Sequence, residues 1–161
     1  MDGNTETFVY IVLGVALAFA INVGMSYGLT TDMPVVAVES NSMVPVFYKG
    51  DILVLKGMHA VEYKVGDIIV YSVEGRSVPI VHRIVKINPD GSYQTKGDAN
   101  NGQLNFEYYV SKESIHGKVL VIIPYLGWVK ISVTEYVLPN IIYLLVLCII
   151  IAAVYYGRRL I

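Results

Sequence analysis

Cysteine is almost missing. Cys148 is the only one in 161 residues, so no disulfide can close within the chain. Histidine is nearly as scarce, and three histidines plus one thiol leave little scope for a zinc site, whose ligands come from these residue types. No metal or organic cofactor is expected. Charge is thin as well: 16% of the residues are charged, against about 25% in an ordinary soluble domain. The net charge of −1 excludes a polybasic surface, and with it a nucleic-acid partner. Apolar residues fill the remaining space. They make up 55% of the chain, and a mean hydropathy of +0.55 places a large part of it in lipid.

Two uncharged runs account for the excess. Residues 7–29 and 136–156 contain no Asp, Glu, Lys or Arg, and each reaches the roughly 20 apolar residues that a bilayer-spanning helix needs. A buried core helix is the plainer reading of such a run, but uncharged core helices of this length are uncommon. Tyr10, Tyr27, Tyr136, Tyr155 and Tyr156 sit near the ends, as interfacial aromatics do. The leader, residues 1–6, carries Asp2 and Glu6 and no lysine or arginine. A cleaved signal peptide would have the opposite charge and a shorter apolar core, so the first run reads as a permanent anchor. Two spans put both termini on one side. Arg158 and Arg159, in the tail 157–161, assign that side to the cytoplasm. The chain therefore reads as a multi-pass protein of the cell membrane, with residues 30–135 outside the cytoplasm. That segment holds 10 of the 12 Lys and Arg and 11 of the 13 Asp and Glu. It is almost neutral, so strong electrostatic steering is not expected.

The segment between the spans reads as β structure. Short β-branched runs recur at residues 35–38, 51–55, 67–71, 80–85 and 119–123. Turn signals separate them: Lys49-Gly50, Val65-Gly66, Glu74-Gly75, Pro89-Asp90-Gly91 and Gly97-Asp98. Strands punctuated in this way predict a mainly β domain of antiparallel sheets flanked by two transmembrane helices. Pro89-Asp90-Gly91, between Ile87 and Tyr93, is the clearest hairpin turn.

Three places carry residues with chemical potential. Glu39-Ser40-Asn41-Ser42-Met43-Val44-Pro45 follows a strand and ends in proline, which predicts a tight loop. A serine hydroxyl attacks only when a nearby base takes its proton, and a second hydroxyl two residues away can help stabilise an oxyanion. Alone, serines in turns usually just satisfy backbone groups. His82 lies among valines and isoleucines in a strand, and its side chain has an unperturbed pKa near 6.5, suited to a general base. His59 and His116 read as surface positions. Asp98 lies in the loop Thr95-Lys96-Gly97-Asp98-Ala99-Asn100-Asn101, where an acid can orient an imidazole or simply form an Asx turn.

Together the boxes resemble those of one family. Ser40-Asn41-Ser42-Met43-Val44-Pro45 is similar to the Ser-x-Ser-Met-x-Pro box of type I signal peptidases. Tyr48-Lys49-Gly50-Asp51-Ile52-Leu53 resembles the Gly-Asp strand that follows it. Val81-His82-Arg83-Ile84-Val85 resembles the His-Arg box of the archaeal and endoplasmic-reticulum branch, in which histidine replaces a lysine base. Lys96-Gly97-Asp98-Ala99-Asn100 resembles the Gly-Asp-x-Asn box. The four occur in family order.

This resemblance implies a β domain of two antiparallel sheets with its active site near the membrane surface. It implies Ser42 as nucleophile, His82 as general base, Asp98 as the acid, and Ser40 and Met43 at the oxyanion and substrate-binding position. The implied activity is endoproteolytic removal of signal peptides from exported preproteins after small residues at −1 and −3. The implied partners are those signal peptides, the lipid bilayer and the protein translocation machinery. Two departures stand out. Asn41 replaces a frequent glycine. The second aspartate that is common five or six residues after the first is absent, since Gln103 and Leu104 stand there. Asp98 is the assigned partner of His82, with Asn105 and Glu107 as substitutes. Rival readings are a serine–lysine protease using Lys56, Lys64, Lys86 or Lys96, and a non-catalytic membrane-anchored β module or inactive homologue.

Overall fold

The computed structural model describes residues 3–58, 63–143, 146 and 149–150. His59, Cys148 and the tail 157–161 lie outside the described residues, as does much of the run 136–156. The first apolar run is one helix, α1 (Gly3–Leu29). At 1.5 Å per residue its 27 residues extend about 40 Å, enough to cross a bilayer. Phe8, Tyr10, Ile11, Leu17 and Phe19 are all exposed. A helix that is apolar all round and unburied is consistent with a membrane anchor. Among the described residues it is the one helix long and apolar enough for that role. It ends where Thr30 turns left-handed (φ 55°) and the Thr31 N–H reaches back to the Ser26 carbonyl at 3.1 Å, closing orphaned carbonyls as a C-cap does.

Six strands follow: β1 (Val35–Ala37), β2 (Ile52–Lys56), β3 (Ile68–Tyr71), β4 (Ile80–Ile87), β5 (Tyr93–Lys96) and β6 (Ile115–Ile123). They form one antiparallel sheet in the order β1-β2-β6-β3-β4-β5. The two sheets expected from the resemblance are therefore joined, and the nine-residue strand β6 joins them. Its C-terminal part pairs with β2, from Ile123 opposite Ile52 to Lys118 opposite Lys56. Its N-terminal part pairs with β3, from Lys118 opposite Ile69 to Ile115 opposite Tyr71. Only Lys118 has partners on both sides, so the sheet steps sideways there. Gly117 sits at the step, where an added Cβ would lie 2.8 Å from the Lys56 carbonyl oxygen.

Each half has its own core. Val38, Met43, Phe47, Leu53, Leu55 and Val70 are buried in one; Tyr63, Ile69, Tyr71, Ile84, Tyr93 and Val110 in the other. The Pro89-Asp90-Gly91 turn closes the β4–β5 hairpin, with the Asn88 N–H donating to the Ser92 carbonyl at 2.8 Å. After β6 a helical segment begins at Trp128 and runs through a π-helical turn, Ser132–Val137. It starts ahead of the expected second span at residue 136.

Candidate active site

Ser42 lies in the loop between β1 and β2. Successive tight turns shape this loop: the Val44 N–H donates to the Asn41 carbonyl and the Val46 N–H to the Met43 carbonyl. The Val44–Pro45 peptide is cis. Met43 is fully buried and anchors the loop in the first core, which leaves Ser42 on the rim. The loop is also gripped from the side. The Ala99 N–H donates to the Ser42 carbonyl at 2.9 Å, and the Asp98 N–H approaches the Met43 sulfur at 3.5 Å.

His82 reaches the same point from β4, opposite Ile69 of β3. Its Nε2 lies 3.0 Å from Ser42 Oγ. Its Nδ1 faces Oε1 of Glu107 in direct contact, and neither atom has another partner. Glu107 is fully buried in a 3₁₀ turn, Asn105–Tyr108. Its other oxygen accepts the Leu104 N–H at 2.6 Å, while its own N–H donates to the Leu104 carbonyl. The carboxyl group is thus fixed from both sides. Burial holds His82 below its usual pKa of 6.5, against the opposing pull of Glu107 and of Asp98. At neutral pH the imidazole is therefore uncharged and able to accept a proton from a serine.

Asp98, the acid expected at His82, is engaged elsewhere. Both of its oxygens bind the Arg83 guanidinium, at 2.9 and 2.6 Å. Neighbouring residues of a strand point to opposite faces, so an acid committed to Arg83 is not hydrogen-bonded to His82. Glu107, weighed as a substitute, holds that place, and Asn105 does not. The available signal for Glu107 was that it is the nearest acid after the two positions where the common second aspartate is missing.

Ser40 Oγ lies 3.3 Å from Ser42 Oγ. No lysine amine is hydrogen-bonded to Ser42 among the described residues. A role that sequence reading missed belongs to Gly97. A Cβ there would stand 2.8 Å from His82 Nε2 and 2.8 Å from the Ser42 carbonyl oxygen, so only glycine lets the Asp98 loop close over the pair. Ser42 and His82 open into a cleft of about 610 Å³ whose walls include Val36, Val38, Val81 and Leu104.

His116 has partners of its own rather than a free surface position. Its Nε2 lies 2.7 Å from Ser72 Oγ and its Nδ1 3.0 Å from Asp32. This second Ser-His-Asp set does not line the cleft, and the Ser72 N–H is spent on the Ser114 carbonyl, so it cannot serve as an oxyanion donor.

The sequence profile of the Peptidase S24-like family matches residues 18–120. The catalytic subunit SEC11 of the Chaetomium globosum signal peptidase complex is 38% identical over 128 residues, covering 74% of each chain. The catalytic subunit SEC11C of the Rattus norvegicus complex is 34% identical over 156 residues, 89% of this chain and 80% of the relative. The Homo sapiens SEC11C is 34% identical over 146 residues, 83% and 76% of the two chains. The chain belongs to this peptidase family. As a family member it carries Ser42, His82, Gly97, Asp98 and Glu107 inside the matched stretch, and α1 overlaps the start of that stretch.

Proposed function

We propose that this signal peptidase family member cuts the signal peptides of exported preproteins after small residues, with Ser42 as nucleophile, His82 as general base and Glu107 as the acid that orients the imidazole. The observation that carries this reading is the Ser42 Oγ to His82 Nε2 contact of 3.0 Å, backed by buried Glu107, at the edge of an open cleft. In the reaction, Ser42 Oγ bonds to the scissile carbonyl carbon as its proton passes to His82 Nε2. The imidazolium formed is stabilised by Glu107 and returns the proton to the leaving amine, which departs with the mature chain. Water, deprotonated by the same imidazole, then releases the signal peptide from Ser42. Ser40 Oγ and the Ser42 N–H are the oxyanion donors in this scheme, and Met43 sets the loop from below.

β1 terminates the sheet, and its residues Val35 to Ala37 line the cleft. An extended substrate segment can add to that free edge by main-chain hydrogen bonds, bringing its carbonyl to Ser42. The membrane arrangement belongs to the same proposal. In it the apolar run 136–156, part of which lies outside the described residues, is assigned as a second span, with the domain between the spans on the extracytoplasmic side of the cell membrane beside the protein translocation machinery. The apolar, exposed helical residues Ile141, Ile142, Ile149 and Ile150 support it.

The test is preprotein cleavage by wild type and Ser42→Ala in detergent or vesicles. Loss of cleavage in the variant is expected. Equal cleavage by the two would overturn Ser42 as the nucleophile, and no cleavage by either would leave the non-catalytic module as the better reading.

A further inference from the structure

The segment after β6 does more than lead toward the second apolar run, because it is fastened to both flanks of the Ser42 loop. On one flank Lys130 pairs with Glu39 at 3.0 Å. On the other, Lys49 Nζ binds the Glu135 carboxylate at 3.2 Å and lies 5.8 Å from the centre of the Trp128 ring. Between these, Asp51 accepts the Tyr48 N–H with one oxygen and the Tyr125 N–H with the other. The Trp128 indole covers Gly50 so closely that a Cβ there would lie 2.1 Å from its Nε1. Gly50 has φ +97°, which only glycine adopts without strain. Ile131 is buried one turn after Trp128.

The contacts reach Ser42 through its neighbour. Asn41 Oδ1 accepts the Lys49 N–H at 2.8 Å, tying the two ends of the loop together. A glycine at position 41, as the resemblance would lead one to expect, could not make this bond.

From this geometry we infer that the Tyr125–Glu135 segment clamps the Ser42 loop through Lys49 and Gly50, with Trp128 and Asn41 as positioning residues on the two sides of the clamp. The inference rests on the reading of Ser42 as nucleophile. Neither residue touches Ser42 Oγ. They act by fixing the backbone that carries it, and a displacement of about 1 Å at a reacting atom can cost about a hundredfold in rate.

The experiment uses the full chain in detergent micelles and a preprotein substrate, measuring kcat, KM and thermal stability for Asn41→Gly, Trp128→Ala, their double variant and Ser42→Ala. Asn41→Gly should lower kcat about fivefold, the scale of one neutral hydrogen bond, and Trp128→Ala about tenfold. KM should stay within about twofold for both, since uniform binding is untouched. Because both act through Lys49 and Gly50, the double variant should fall only about tenfold rather than about fiftyfold. Trp128→Phe should restore most of kcat. If Trp128→Ala does not fold, Trp128→Leu takes its place in the cycle. Independent multiplication of the two losses, or a rise in KM at unchanged kcat, would overturn the clamp. Full activity in Ser42→Ala would instead overturn the reading of the site on which the clamp rests.

Discussion

Glu107 and Asp98 offer a direct comparison, because each is a carboxylate close to His82 and only one touches it. Glu107→Gln keeps the shape but leaves the imidazolium without its counter-charge. It should lower kcat/KM by about a hundredfold or more, in the manner of other triad acids. Asp98→Asn weakens the Arg83 contact and should cost only about tenfold, through looser seating of the loop that holds Ser42. Steady-state kinetics of the two variants decides between them, and the reverse order of severity would restore Asp98 as the acid. The pH dependence follows from the environment of His82. Its protonated form is inactive as a base, so kcat/KM falls as pH falls through its pKa. Burial holds that pKa below 6.5, so the acid limb of the profile should have its midpoint below pH 6.5. Glu107 pulls the pKa upward, so Glu107→Gln should move the limb further down. Stability has the same sign: the unfolded histidine binds its proton first, so this contribution is present above pH 6.5 and is lost as pH falls through the folded pKa. Gly97→Ala places a methyl against His82 Nε2 and the Ser42 carbonyl. It should abolish cleavage while costing about 1–3 kcal/mol in stability, as chemical denaturation of the solubilised protein would measure.

At the scale of elements, β6 is the decisive piece. A strand that ended at Lys118 would leave β1 and β2 unpaired with β3, β4 and β5, and the Ser42 loop would lose its fixed distance to His82. Gly117 marks the handover, with the Lys56 carbonyl 2.8 Å from where a Cβ would sit. Gly117→Val therefore forces β2 and β6 apart. It should destabilise the domain by about 1–3 kcal/mol and lower activity in step, because the two halves carry the two reacting groups. A denaturation midpoint unchanged from wild type would contradict this. The reach of β6 was only partly visible in advance. The run at 119–123 marked its apolar half, but His116 and Lys118 interrupt the pattern over the half that pairs with β3.

For the whole molecule, the question is how a sparsely charged domain finds its substrate. With little net charge to steer encounter, the proposed anchoring does the work by confinement. An apolar signal peptide and an α1-anchored enzyme share a bilayer, which raises their effective concentration. Deleting residues 1–30 should therefore leave cleavage of a short soluble peptide within about twofold, while slowing cleavage of a vesicle-inserted preprotein by about a hundredfold. Parallel assays on the two substrates check this, and equal losses on both would show that α1 serves folding instead.

What the sequence determined by itself was whatever depends on local pattern. An uncharged run of bilayer length gives a helix wherever it sits, and α1 ends at Leu29 because the residues after it turn polar. Alternating β-branched runs between glycine turns give strands, and five of the six fall on the predicted runs. The serine loop was readable too, since a buried methionine and a proline frame it within a few positions. Tertiary structure decided what depends on faces and long-range register. Whether Asp98 or Glu107 meets His82 turns on which side of β4 each loop returns to, and periodicity does not encode that for residues outside the strands. The joining of the two half-sheets depended on one strand pairing left at one end and right at the other. The tie between Trp128 and the serine loop spans 78 residues of sequence from Gly50, and only the folded chain brings the two together.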